Sequence, residues 1–181
     1  RICKYPLLLR ELLKHTSQDH SDFQSISEAS RLIEEVVNSL NEWQRKEQML
    51  RTVRDLEERF GPTCPRLADN QLIREGVLTL HRSATSKGHN TYVYLFSQYF
   101  LVTARGGNEL KFAIPLSSCK LVVFADSEGL MNAFEVKNSL GKASGIFSTH
   151  SNVSKQGWIK DIKAEIKEYQ KKAVQHMKNR K

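Results

Sequence analysis

The side chains of this 181-residue chain best suited to metal or nucleophilic chemistry are three cysteines, Cys3, Cys64 and Cys119, and six histidines, His15, His20, His81, His89, His150 and His176. Neither set has a useful spacing. There is no Cys-x-x-Cys pair and no histidine at metal-ligand spacing, so no zinc site is expected. Gly-x-Ser-x-Gly, a Walker loop and a paired catalytic His and Cys are also missing, which argues against a hydrolase or transferase and predicts neither a catalytic residue nor a cofactor. Odd, scattered cysteines fit a reducing, cytoplasmic setting. What remains is reversible binding. The stretch Arg82-Ser83-Ala84-Thr85-Ser86-Lys87-Gly88-His89-Asn90 carries two permanent charges, Arg82 and Lys87, and Lys87 reads on its own as readily as the solvated end of a hairpin. Asn41 offers a donor and an acceptor between the apolar residues Leu40 and Trp43, and is equally a solvated helix residue.

Two kinds of element must carry these residues. From Ser21 to Phe60 the apolar residues Phe23, Ile26, Ala29, Ile33, Val36, Leu40, Trp43, Leu50, Val53, Leu56 and Phe60 recur at helical spacing. Ser21 and Gln24 predict a capping box, and Gly61-Pro62 stops the helix. A rod of nearly 60 Å, from ~1.5 Å per residue, cannot bury its stripe alone. Because Glu47 interrupts that stripe, its partner is expected to end near Trp43, leaving the rest as a connector. Arg1 to His15 reads as a shorter helix with Leu7, Leu8, Leu12 and Leu13 as core candidates. Pro6 fits it only in a first turn.

After Pro65 the period becomes two. Seven strands are predicted, at Val77–His81, Thr91–Phe96, Tyr99–Thr103, Leu110–Leu116, Lys120–Phe124, Asn132–Val136 and Gly145–Ser148. Turn residues such as Ser86-Lys87-Gly88 and Arg105-Gly106-Gly107-Asn108 separate them, so the sheet is an antiparallel meander curling on itself. A last helix places Trp158, Ile162, Ile166 and Tyr169 on a face that plugs the barrel, with Lys160, Lys163, Lys167 and Lys171 on another. From Gln170 onward it is expected to fray.

Charge is uneven. The net +8 divides into −1 over residues 1–70, +3 over 71–153 and +6 over 154–181. A basic groove in a folded core is thereby disfavoured and nucleic acid is not an expected partner, whereas an anionic membrane surface is, weakly. No apolar run reaches the ~18 residues of a membrane span. The chain opens on Arg1 rather than Met, and is expected to be part of something longer.

Seven antiparallel strands followed by a helix with a central Trp resemble a pleckstrin homology (PH) domain, with Arg74-Glu75-Gly76-Val77-Leu78 as its first strand. Arg1-Ile2-Cys3-Lys4-Tyr5-Pro6-Leu7-Leu8-Leu9-Arg10-Glu11-Leu12-Leu13-Lys14-His15-Thr16 closely resembles the last block of the Dbl homology (DH) domain of Rho guanine-nucleotide exchange factors, and the long helix resembles the final DH helix. The resemblance implies an α+β chain: the tail of an all-α DH bundle over 1–65, a PH domain with a seven-stranded antiparallel barrel and C-terminal helix over 66–172, and a basic tail over 173–181. It implies part of an exchange factor acting on a Rho/Rac-family small GTPase, with no covalent chemistry, peripheral to the membrane and inactive alone because the earlier DH helices are not in this sequence. Lys4 and Asn41 fall at family positions that contact the GTPase. Arg82, Lys87 and Arg105 are the implied phosphoinositide ligands. Tight binding needs a Lys late in strand one and an Arg early in strand two; Thr79, His81, Asn90, Thr91 and Tyr92 stand there instead, which predicts weak binding. The bare helical stripe could also self-associate. The alternative is a membrane-targeting or protein-docking PH module without exchange activity.

Overall fold

The computed structural model describes residues 2–104, 106–127, 129–140 and 144–178, with side chains through Lys172. By contacts the chain forms two compact units, Arg1–Arg51 and Thr52–Lys181. Among the described residues no helix is long and apolar enough to cross a membrane.

In the first unit a 3-10 turn, Ile2–Lys4, leads into helix α1, Tyr5–Lys14. Pro6 lies in the first turn of α1, where its missing N–H breaks no helical bond, so the expected conflict does not arise. The His15 N–H closes the other end onto the Leu12 carbonyl at 3.1 Å, and the Thr16 hydroxyl donates to the same oxygen at 2.8 Å. Helix α2 spans Phe23–Phe60 and begins later than the pattern predicts. Its first bond runs from the Ile26 N–H to the Asp22 carbonyl, the Ser21 hydroxyl donates to the Asp22 carboxylate, and His20 Nδ1 accepts the Asp22 N–H. With Ser21 engaged this way, the capping box with Gln24 does not form. Arg10 Nε donates to Glu34 at 2.9 Å, tying α1 to α2.

Among the described residues of this unit no large apolar side chain is buried. Leu7, Leu8 and Leu12, expected in a core, are 64%, 62% and 49% exposed, because two helices cannot cover one another's apolar faces completely. Ion pairs carry α2 where the apolar stripe lapses. Glu42 with Arg45 and Glu47 with Arg51 sit three and four residues apart, spacings at which opposite charges meet on one helix face.

The second unit is the predicted meander. Its strands are β1 Leu72–His81, β2 His89–Phe96, β3 Tyr99–Thr103, β4 Leu110–Pro115, β5 Cys119–Val123, β6 Ala133–Asn138 and β7 Ser144–Ser148, followed by helix α3, Asn152–Lys178. All pairings are antiparallel in the order β4-β3-β2-β1-β7-β6-β5. Strand β1 is longer than predicted: Leu72 to Leu80 pair with β2, and its last residues, Thr79 to His81, also pair with β7. One strand therefore belongs to both halves of a sheet that wraps around its contents. Leu78, Val93, Phe100, Ile114, Phe134 and Phe147 fill the interior, and α3 closes it with Trp158, Ile159 and Ile162.

The outer face of β2 and β3 is covered as well. Val53, Leu56 and Phe60 of α2 pack with Leu67 against Tyr94, Phe96 and Leu101. The end of α2 is therefore core, not the expected connector, and β2 is apolar on both faces for this reason. Trp158 is 3% exposed, as its core assignment requires, and the Arg74 guanidinium lies over its ring at 5.5 Å while donating to Asp161 at 2.5 Å. Helix α3 does not fray at Gln170; it continues to Lys178, since Lys, Gln and Ala are good helix formers even without an apolar face.

Candidate functional site

A cavity of about 530 Å³ opens at one end of the barrel. Its walls come from the end of β1 and the loop after it, the beginnings of β2, β4 and β7, and Glu135 of β6. An antiparallel meander brings these segments together, because alternate connections fall at the same end of the sheet.

Arg82, Lys87 and Lys111 line this cavity, are exposed, and make no side-chain hydrogen bond or ion pair to another described residue. Glu135 also lines it, but is paired with Lys137 at 3.2 Å. Three cations are thus left without a local counter-charge, an arrangement suited to an anion. The loop that holds two of them is internally built. The Ser86 hydroxyl accepts the Arg82 and Ser83 N–H groups, each at 2.9 Å, and donates to the Ser83 carbonyl.

His81 helps hold that loop in place. Its Nδ1 is 3.0 Å from the Ser86 carbonyl and its Nε2 is 2.8 Å from the Ser148 hydroxyl. A carbonyl only accepts, so Nδ1 carries the proton and donates to it; in the neutral ring Nε2 then accepts from Ser148. Both ring nitrogens are thereby occupied. Thr79 donates to Asn90 across the hairpin at 3.3 Å. The late β1 and early β2 positions are held here by groups that satisfy one another, and the cations of the cavity are the three exposed side chains of Arg82, Lys87 and Lys111.

Gly88 is fixed by this packing. A Cβ on it would stand 2.8 Å from the His81 ring and would also meet the Thr79 methyl. Of the residues expected to bind anions, Arg82 and Lys87 come together in the cavity, and Arg105 lies outside the described residues. Lys111 was not anticipated. On β4 it reads as an ordinary outward strand residue, and only the pairing of strands shows that it starts at the loop end of the barrel.

Lys4 and Asn41 both lie in the first unit. Lys4 is the exposed last residue of the 3-10 turn before α1. Asn41 is exposed on α2, beside Leu40 and Trp43, which are 39% and 62% exposed. Neither side chain bonds to another described residue. The adjacent Glu42 carboxyl is held below the ordinary glutamate range by its hydrogen bond from Arg45. The surface presents apolar rings and chains among fixed polar groups, the composition of a protein-binding face.

Comparison with known proteins places both units. Residues 1–41 match the RhoGEF domain and residues 68–165 match the SOS1/NGEF-like PH domain. The Myosin-M heavy chain of Dictyostelium discoideum is 28% identical over 93% of this chain and 11% of its own length. The Rac guanine nucleotide exchange factor JJ of the same organism is 24% identical over 92% of this chain and 15% of its own. The chain thus spans only a small part of these curated relatives. Among solved structures, the complex of PDZ-RhoGEF DH/PH domains with GTP-gamma-S activated RhoA superposes with a TM-score of 0.71 at 19% identity, covering 92% of this chain and 53% of that one. The helices followed by a seven-stranded barrel and closing helix are the fold of that structure, and the chain belongs to the SOS1/NGEF-like PH domain family, with a RhoGEF domain fragment ahead of the PH domain.

Proposed function

We propose that this chain is part of a guanine-nucleotide exchange factor for a Rho-family small GTPase, with residues 1–65 the end of the DH domain, 66–172 the PH domain and 173–181 a basic tail. The observation that carries the reading is the match to a RhoGEF domain directly ahead of a SOS1/NGEF-like PH domain. A relative over nearly the same span is named a Rac guanine nucleotide exchange factor.

Lys4 and Asn41 contact the GTPase, Asn41 flanked on its helix by Leu40 and Trp43. The exchange factor forms and breaks no covalent bond. It binds one state of the GTPase more tightly than the others, and that difference in affinity shifts the population toward the state that releases nucleotide. The PH domain orients the DH domain and binds phosphoinositide or a partner weakly through Arg82, Lys87 and Arg105, with Lys111 as a further cation in the same cavity. The protein works in the cytoplasm, peripherally at the membrane.

The test is release of a fluorescent guanine nucleotide from a Rho or Rac GTPase. A chain extended to a complete RhoGEF domain accelerates release, whereas residues 1–181 alone do not. Lys4→Ala and Asn41→Ala each slow release by about tenfold or more, the loss expected when a charged or bidentate contact is removed. Unchanged release with both variants would take these residues out of the contact.

A further inference from the structure

The surface of α3 that faces away from the barrel carries Lys160, Lys163, Lys167 and Lys171, all exposed. At about 100° per residue these four fall within an arc of about 80°, centred opposite Trp158 and Ile162, and run for about 16 Å along the helix. No carboxylate stands within that arc. Asp161, to one side, is spent on Arg74. Glu168 lies beyond the edge of the arc, 3.9 Å from Lys171 and 4.0 Å from Lys172. Val153, on the edge of the same line about two turns before Lys160, is 85% exposed.

The position of this ridge sets it apart from the basic cavity. The cavity is made from the β1–β2 loop and the first residues of β4 and β7. Helix α3 packs instead on the 3-10 turn Leu116–Ser118 between β4 and β5, and on β5 itself, while Tyr169 and Gln98 of the β2–β3 turn line one hollow. Those segments form the other end of the meander. Because α3 covers that end with its apolar face, its lysine face is turned away from the cavity, and a single flat surface cannot engage both.

We infer that the lysine ridge of α3 is a second docking surface, and that its partner is the anionic face of a lipid bilayer. The ridge is straight and convex, with no groove to seat a peptide. Flexible ammonium groups on such a ridge meet a planar, diffuse negative charge without needing to select a headgroup. Val153 gives the line one apolar contact at its start. The surface is distinct from the cavity, and the inference does not depend on exchange activity.

The experiment is co-sedimentation of the 181-residue chain with phosphatidylcholine vesicles containing about one-third phosphatidylserine. Lysine near an anionic leaflet is worth about fivefold in partitioning per residue, reduced by salt, so replacing all four with glutamine lowers binding about tenfold or more. The triple variant Arg82→Gln, Lys87→Gln, Lys111→Gln keeps most of the binding, and about 1 M salt abolishes it. Thermal unfolding checks that both variants fold. Equal binding by the ridge variant and the unaltered chain would overturn the inference, as would complete loss in the cavity variant alone. Tighter binding to poly-glutamate than to the vesicles would overturn it in favour of an acidic protein partner.

Discussion

Leu56→Ala tests whether the end of α2 belongs to the barrel's own core. Leu56 is 1% exposed and packs in the cluster with Phe96 and Leu101 on the outer face of β2 and β3. Truncation removes its apolar area and leaves a cavity between a helix and a sheet, neither of which can collapse far, since Val53 and Phe60 hold the helix on either side. Leucine truncations of this kind cost 2–5 kcal/mol, and a value of about 3 kcal/mol corresponds to roughly 10 °C in melting temperature for a unit of this size. The control is Leu50→Ala on the same helix, where the side chain is 41% exposed and the loss should stay within about 1 kcal/mol. In a Trp43→Phe background, urea unfolding followed by tryptophan fluorescence reports on the barrel, because Trp158 is buried inside it and is then the one tryptophan in the chain. If the two variants shift the Trp158 transition equally, the end of α2 is a connector after all, and its packing on Tyr94 and Phe96 contributes nothing to the fold.

A second expectation concerns the loop between β5 and β6. The Asp126 carboxylate is held below the ordinary aspartate range by the Asn132 N–H and then by Lys155, whose ammonium is buried and also donates to the Phe124 carbonyl at 2.8 Å. A depressed folded-state value means stability that is present above the unfolded value and is lost as pH falls through the folded one. Asp126→Asn should therefore lower the melting temperature by a constant amount at neutral pH, with the difference closing below roughly pH 4; a gap that persists in acid would place the effect elsewhere. The thiols give a third. Burial raises Cys119 and, with Glu57 nearby, Cys64 to about 11, whereas Cys3 is exposed. Mass spectrometry after brief alkylation of the native protein near neutral pH should find Cys3 modified first, and early labelling of Cys119 would show that the barrel opens.

The seven strands were legible because each alternates or runs apolar between strong turn residues, and the observed elements differ from the reading mainly at their ends. Leu72 and Ile73 extend β1 beyond the predicted start at Val77, since a Gly and two charged residues weaken the pattern where pairing with β2 is already established. The continuous apolar run of β2 was correctly read as strand, but the reason for it was not visible. Nothing in Thr91 to Phe96 says what covers the second face, and the answer lies in Val53, Leu56 and Phe60, upstream on a helix whose pattern is broken by Glu47. A lapse in an apolar stripe marks a change of partner as readily as the end of packing, and spacing alone does not distinguish them.

The cavity shows the same division between local and assembled information. Arg82 and Lys87 are neighbours in sequence and share a hairpin, so their joint exposure could be foreseen. Lys111 enters only when β4 is laid beside β3, and the roles of Thr79 and His81 only when Asn90, Ser86 and Ser148 are found opposite them. Their positions are the ones a strong phosphate site would need for cations. Here they are tied into the hairpin, and Gly88 packs too closely on both to admit even a methyl group without displacement. The hairpin is therefore hydrogen-bonded at those positions, while its charges stand on exposed side chains. On the function proposed above, an anion held only by Arg82, Lys87 and Lys111 would have to order three long side chains, at roughly 0.5–1.5 kcal/mol each, and the weak, unselective affinity proposed for the cavity rests on that cost.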